Sequence, residues 1–487
     1  MTDDPALLPA TEMVARYRAG SLSPVTVTEA CLARIEALNP ILNAFCRVDA
    51  EGALAAAGES AARWAAGAPL EAGAAIVDGV PTSVKDLVLT RGWPTLRGSR
   101  AIDPGQPWDE DAPAVARLRA AGAVLVGKTT TPELGWKGVT DSPLTGITRN
   151  PWDPDRTPGG SSGGAAVAAA TGMAALNIGT DGGGSIRIPA SFTGIVGIKP
   201  SYGRVPAYPP SPFGSLSHLG PMTRTVGDAA LMLQVLAQPD SRDPAALPCP
   251  PEDFAAGLEG GIGGGMNGLR IGYAETLDGY VVEPGIARLV ADAVGVFADL
   301  GAAIEPVAPP LAGASDIFAR HWTVGAATVL EGFPEAARAV MDPGLVAAAG
   351  LGRNTPLIDY AQAMQARARM GLAMNLFHRD YDLLLMPTEP IAAFAAGRDT
   401  PADGPYRDWP DWTPFTYPFN LTQQPAISVP CGLTAEGFPA GLQIVGPLHA
   451  DAAVLRAARA FETARPWPLP PCAADPEILD PVTPDRR

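Results

Sequence analysis

Basic residues are scarce. Lysine and arginine total 35 against 51 aspartates and glutamates, a net charge of -16 over 487 residues. A surface of that sign repels phosphate backbones and anionic bilayers, and no lysine/arginine cluster interrupts it. Nucleic acid and membrane surfaces are therefore not expected partners. Cysteine is scarce too. Cys31, Cys46, Cys249, Cys431 and Cys472 are widely spaced, odd in number and form no C-x-x-C pair. That argues against a disulfide framework or a zinc site and fits a reducing compartment. The chain lacks H-E-x-x-H, and neither a metal nor an organic cofactor is expected. The apolar run from Ala165 to Ile178 is alanine-rich and too short to span a bilayer. The start, MTDDPALLPATEM, is acidic where a signal peptide is basic. The expectation is a soluble cytoplasmic protein.

Glycine (54), proline (52) and apolar residues (47%) are plentiful, enough for many turns around a sizeable core. Residues 7 to 46 carry helical spacing, broken at Ser21 to Pro24. Gly79 to Leu89 reads as a short strand entering a loop, Asp111 to Ala121 as an amphipathic helix, and AVLVGKT from Ala123 as a buried strand. An alanine-rich helix from Gly164 to Met173 and a strand from Ala175 to Thr180 follow. LRIGYA (from Leu269), DLLLMPT (from Asp382) and AISVPCG (from Ala426) read as strands, separated by helices such as Pro284 to Leu300 and Pro356 to Arg379. This rhythm predicts an α/β fold. Ala255 to Gly268 and Arg398 to Trp412 read as loops or insertions, and the tail after Pro466 as surface chain. No repeat and no two-domain boundary is visible.

The chemistry concentrates in two glycine–serine clusters, PGGSSGG (Pro158 to Gly164) and GTDGGGSIRIPA (Gly179 to Ala190). Glycine runs let backbone approach a ligand and present free N–H groups, which can stabilise an oxyanion. Flexible linkers would not alternate with an alanine-rich helix and a buried strand, or carry Asp181 and Arg187. No G-x-S-x-G elbow surrounds Ser185. A serine nucleophile needs a base. His218, His321, His378 and His449 lie in no motif, yet folding could bring any of them to a serine. The alternative is a buried lysine of lowered pKa, and Lys85, in VPTSVKDLVL, fits that description.

VPTSVKDLV, PGGSSGG, GTDGGGSIRIPASFTGIVGIKPSYGRVP and GPMTRTVGDAALML resemble, in order, the blocks of the amidase signature family. GKTTTPELG, TRNPWDPDRTPGGSSGG and NLTQQPAISVPCG…GFPAGLQIVG resemble its flanking blocks, so the likeness runs from about residue 7 to residue 465. The resemblance implies one α/β domain over 1–487, with a mixed central sheet covered by helices on both faces. Its signature core spans about 75–235, its C-terminal part about 269–465, and a proline-rich tail 466–487. It implies a Ser–cis-Ser–Lys triad of Ser185 (nucleophile), Ser161 (bridge) and Lys85 (base). The oxyanion hole falls on the N–H groups of Gly182, Gly183, Gly184 and Ser185. Asp181 and Arg187 read as charges bracing the loop. Two positions depart from the family: Gly182 stands where a side chain is common, and Thr193 where cysteine is common.

The family resemblance implies hydrolysis of amides, anilides, carbamates or esters through an acyl-enzyme. Another branch, the glutaminase subunit of tRNA-dependent amidotransferases, recognises the glutamine amine with an acidic residue where this chain has Thr413. A catalytically inactive binding homologue is a third reading, against which the complete triad speaks. Gly135, Trp136 and Gly138 of the LGWKG segment are expected at the substrate, Trp136 as an apolar wall. Tyr417, Phe419 and Gln424 are expected nearby. The acidic chain and apolar pocket favour a neutral small-molecule amide or carbamate as partner, and a homodimer is compatible with the family.

Overall fold

The computed structural model describes residues 4–71, 75–248, 253–258 and 266–475. Thirteen strands occur among them: β1 Phe45–Val48, β2 Pro81–Lys85, β3 Val124–Thr129, β4 Asp141–Ser142, β5 Gly146–Ile147, β6 Leu176–Asp181, β7 Val196–Lys199, β8 His218–Thr223, β9 Arg270–Tyr273, β10 Ala303–Pro306, β11 Leu383–Pro387, β12 Ala426–Leu433 and β13 Pro439–Val445. β4 and β5 form a small hairpin. The other eleven make one sheet in the order β1-β3-β2-β6-β8-β7-β12-β13-β11-β9-β10. β2, β3 and β6 run parallel, as do β9, β10 and β11, while the centre is antiparallel. The sheet is mixed, as expected, and joins both halves of the chain into a single large α/β domain.

The inner strands are buried at nearly every position because both faces of the sheet are covered. Strand period two divides them. In β11, Leu383 and Leu385 face a layer formed by the helices Pro113–Ala120, Val226–Leu236, Pro284–Asp299 and Asp451–Ala464. Leu384 and Met386 face the opposite layer, with the helices Ala314–Glu331, Pro343–Arg353 and Leu357–Phe377. The same alternation in β2 turns Val84 toward the first layer and Lys85 away from it.

The alanine-rich helix spans Gly163–Thr171, with all nine residues buried. Its first turn is glycine because neighbours press on it. A Cβ on Gly163 would stand 2.4 Å from Thr140 Oγ1, and one on Gly164 2.4 Å from Thr130 Oγ1 and 2.5 Å from the Ala44 carbonyl oxygen.

Some expectations are corrected. The helical reading of residues 7–46 resolves into helices Ala10–Arg18 and Pro24–Leu42, the second stopped by Asn43 in the left-handed region at φ 51°, and its end enters strand β1. The segment 398–412 ends in a short 3-10 turn, Trp409–Trp412, whose two tryptophans are buried in the core. The described part of the tail is docked rather than loose. Cys472 and Ala473 are buried, and Arg34 donates to the Ala473 carbonyl at 2.8 Å. Residues 476–487 and part of the expected loop at 255–268 lie outside the described residues.

Gly164→Ala tests the packing of this helix. Propensity alone favours alanine by about 1 kcal/mol, whereas the crowding reverses the sign. The expected outcome is a destabilisation of about 1–3 kcal/mol, read as a lowered urea-unfolding midpoint. An unchanged or raised midpoint would show that the neighbours can retreat.

Candidate active site

Strand β2 delivers Lys85 into the interior, where its side chain is fully buried. Three hydroxyls surround its amine: Nζ lies 2.7 Å from Ser161 Oγ, 2.8 Å from Ser162 Oγ and 2.8 Å from Thr180 Oγ1. Burial pushes the Lys85 pKa well below its ordinary value, and the Asp181 charge opposes this only in part. The two serines precede the helix Gly163–Thr171, and the Gly160–Ser161 peptide bond is cis. Thr180 sits near the end of β6, beside β2 in the sheet.

The three hydroxyls are not equivalent. Ser162 Oγ donates to the Thr180 carbonyl at 3.0 Å and accepts from Thr180 N at 3.2 Å as well as from Lys85. Its one proton and both its lone pairs are thus engaged. A neutral lysine has two N–H donors and one lone pair. With Ser162 able only to accept from it, Lys85 directs one N–H there, which leaves its other N–H and its lone pair for the hydroxyls of Thr180 and Ser161.

The glycine run follows β6. Asp181 is fully buried and braces the whole turn. It accepts from Gly184 N at 2.7 Å and Ile186 N at 3.2 Å, from Arg187 at 2.9 and 3.0 Å, and from Asn420 Nδ2 at 2.8 Å. Burial pushes its carboxyl up, but the Arg187 guanidinium outweighs that and, with Asn420 and Lys199, holds it well below the usual carboxylate range. Arg187 also donates to Thr416 O, Gln443 Oε1 and Asn420 Oδ1.

This network selects among the expected oxyanion donors. The Gly184 N–H is committed to Asp181, whereas those of Gly182, Gly183 and Ser185 donate to nothing among the described residues. Gly184 itself is required by its φ of 128° and by Thr416, whose Oγ1 would lie 2.3 Å from a Cβ there. Gly182 answers a different demand. A Cβ at this position would stand 3.1 Å from the Trp322 ring, so the departure from the family pattern leaves room for that tryptophan.

Ser161, Thr180, Gly182 and Ser185 line one cavity of about 240 Å³. Gly135 lines it too, and its Cα hydrogen replaces a Cβ that would stand 3.5 Å from Ser161 Oγ. The remaining walls are mostly apolar: Leu87, Val88, Leu134, the segment 207–213, Leu219, Trp322 and Val329. Trp322 and Phe213 stack with ring centroids 4.1 Å apart.

Trp136, Gly138, Tyr417, Phe419 and Gln424 are not brought to this cavity. The Trp136 ring packs against Gly344, and its carbonyl oxygen accepts from Trp322 Nε1 at 3.0 Å. Gly138 is small because the Trp409 and Trp412 rings lie against it. Tyr417 stacks on Phe318 at 4.6 Å, Phe419 is fully buried, and the Gln424 carbonyl oxygen accepts from Lys199 at 2.5 Å. Trp322 thus forms the wall expected of Trp136. A tryptophan inside an ordinary amphipathic helix carries no sequence signal of that role. Ser162 and Thr180 stand beside residues already singled out, but their contact with Lys85 arises only when β2 and β6 pair.

Among the described residues no histidine hydrogen-bonds to Ser161 or Ser185. His218 lines the cavity, but its Nδ1 bonds the Leu216 carbonyl at 2.8 Å and burial lowers its pKa strongly. His321 and His378 bond the carbonyls of Ile317 and Tyr381. The backbone N–H of His449 donates to Ser201 Oγ at 3.0 Å. No described helix is long and apolar enough to cross a membrane.

A family model, Amidase, matches residues 26–455. An acylamidase from Rhodococcus erythropolis is 36% identical over 94% of this chain and 96% of its own length. A glutamyl-tRNA(Gln) amidotransferase chain from Myxococcus xanthus (strain DK1622) is 37% identical over 93% of this chain and 96% of its own. Among solved structures, a bacterial aryl acylamidase of the amidase signature enzymes superposes with a TM-score of 0.86 at 33% identity, covering 94% of this chain and 96% of that one.

The Asp181–Arg187 pair generates a stability test. Arg187→Met leaves a buried carboxylate without its cation, and the expected loss is about 3–5 kcal/mol in urea unfolding at neutral pH. The Asp181 pKa is depressed in the folded state, so its contribution is present above the unfolded value near 4 and is lost as pH falls through the folded one. The gap between wild type and variant should therefore narrow in strong acid. A gap below about 1 kcal/mol at neutral pH would show that the loop does not depend on the pair.

Proposed function

Since the chain belongs to the amidase signature family, we propose that it hydrolyses amides, anilides or carbamates, and esters of similar shape, through an acyl-enzyme on Ser185. The observation that carries this reading is the fully buried Lys85 amine, held 2.7 Å from Ser161 Oγ in the cavity that also exposes Ser185. Lys85 takes the Ser161 proton while Ser161 takes that of Ser185, whose Oγ bonds to the carbonyl carbon. The Ser185 hydroxyl has no protein partner among the described residues and is free to rotate toward Ser161. The N–H groups of Gly182, Gly183 and Ser185 receive the developing oxyanion. As the tetrahedral centre collapses, Ser161 gives a proton to the departing nitrogen and regains one from Lys85, and the carbon–nitrogen bond breaks. Water then repeats the sequence on the ester, releasing the acid and restoring Ser185. Every proton passes through Ser161, since Ser162 has none to spare.

The glutaminase reading has a relative at 37% identity behind it. Glutamine brings an α-ammonium group, which needs a carboxylate. The described residues lining the cavity include no aspartate or glutamate. Thr413, where the family resemblance placed the acidic residue, is buried and bonds the Trp409 carbonyl at 3.4 Å. An amide with an apolar or aromatic body suits the walls better. Glutamine should be cleaved more slowly than an anilide, measured as kcat/KM on both.

Ser185→Ala should retain the fold and less than about a thousandth of wild-type kcat. A fluorophosphonate probe should label the wild type and not the variant. Residual turnover well above that level, or unchanged labelling, would assign the nucleophile elsewhere. Chelators should leave the rate unchanged.

The base has its own signature. A lysine of depressed pKa is half neutral at that pKa and mostly neutral above it, so kcat/KM should climb with pH and level off well below the roughly 10.4 of free lysine. Lys85→Arg should be inactive, because guanidinium stays protonated. Activity in Lys85→Arg with an unaltered pH profile would require another base.

A further inference from the structure

Among the described residues, Arg97 alone brings a full charge to the wall of the catalytic cavity. Its guanidinium makes no ion pair and no hydrogen bond among those residues. The carboxylate whose field reaches it, Asp86, is already paired with Lys128 at 3.3 Å and also accepts from Gly98 N. Arg97 also borders a second cavity, whose acidic residues Asp103, Asp109 and Glu110 stand beyond ion-pairing distance. Carboxylates line that second cavity, and none lines the catalytic one among the described residues.

The backbone holds this arginine in place. Arg97 lies in the left-handed region at φ 55°, a conformation unfavourable for a non-glycine residue. Its carbonyl accepts from Leu134 N at 2.7 Å, tying it to the segment that carries Gly135 beside Ser161. Gly98 N, the next donor, reaches Asp86, the neighbour of Lys85 in the chain. The backbone that carries the guanidinium is therefore anchored on the same two segments that build the catalytic centre.

From this juxtaposition we infer that Arg97 receives a carboxylate of the substrate, so that the preferred amides carry an anionic group at one end of an apolar body. The inference rests on the cavity being the amide site. It narrows the expectation of a wholly neutral substrate. That expectation came from the net charge of the chain, whose field is screened over about 8 Å at physiological salt, whereas inside the cavity the local charge is positive. A guanidinium also suits a planar carboxylate, which it can grip through two parallel N–H···O bonds.

The test compares matched anilides. N-Phenylsuccinamate against N-phenylpentanamide places the charge on the acyl side, and 4-acetamidobenzoate against 4-acetamidotoluene places it on the amine side. The readout is the anion-to-neutral ratio of kcat/KM. In wild type one pair should favour the anion by about 10- to 100-fold, chiefly through KM. Arg97→Met should bring that ratio to within about threefold of one, and Arg97→Lys should keep part of it. Calorimetric binding of 3-phenylpropionate to wild type and Arg97→Met reads the same contact without turnover, and at least a tenfold weakening is expected. Neutral anilides cleaved as well as their anionic partners, with equal 3-phenylpropionate binding to both proteins, would overturn the inference and leave the hydrolase standing. Absence of both anilide cleavage and serine labelling would instead overturn the hydrolase, and the calorimetry would still decide for or against Arg97.

Discussion

The site depends on one buried ion pair. Asp181 and Arg187 are both fully excluded from solvent, and neither could be so alone. Between them they fix the turn from Gly182 to Ile186, and through Thr416, Asn420 and Gln443 they fasten it to the C-terminal half of the chain. Because Asp181 consumes the Gly184 N–H, the turn is held with the N–H groups of Gly182, Gly183 and Ser185 left without a partner among the described residues. A glycine run free in solution would sample many shapes; here a carboxylate and a guanidinium choose one.

Burial acts on the lysines around this centre in different ways. Lys85 has hydroxyls for company and no carboxylate at bonding distance, so desolvation governs and its amine is poised to accept a proton. Lys128, on the neighbouring strand β3, is also pushed down by burial, but Asp86 stands beside it as a paired charge. Lys137, just beyond the Gly135 turn, meets Asp141, Asp342 and Asp399 at 2.7 to 3.0 Å, and these carboxylates overcome desolvation and raise its pKa. It serves as a clamp holding the turn against two distant segments. One residue type thus provides one amine of depressed pKa among hydroxyls and two paired charges, according to what lies within about 3 to 4 Å of each amine.

The cavity records a trade between glycines and aromatic rings. Gly182 leaves space for Trp322 and Gly183 for Phe318 and Trp409. Large rings can come this close to the oxyanion turn only because no Cβ projects from it, and the same bare backbone leaves N–H groups open. The apolar wall and the unpartnered N–H groups of the turn are two consequences of one stretch of sequence.

Much of this was legible in the sequence. Apolar strands, the alanine-rich helix and the glycine–serine clusters follow from composition and period, and the order of the motif blocks identified Lys85, Ser161 and Ser185 together, since each lies inside a compact signature. Pairing across the sheet was not legible. Ser162 and Thr180 reach Lys85 because β2 and β6 run side by side, and Trp322 replaces Trp136 at the wall because a helix from the later half of the chain packs over the turn. The Asp181 carboxylate takes the Gly184 N–H only in the folded turn. Arg97 stands unpaired among the described residues because Asp86 is taken by Lys128, a residue of the next strand, and the acidic residues of the second cavity lie too far off. Local chemistry is written in residue type and spacing, whereas which groups are left without a partner is decided only when the chain has closed around them.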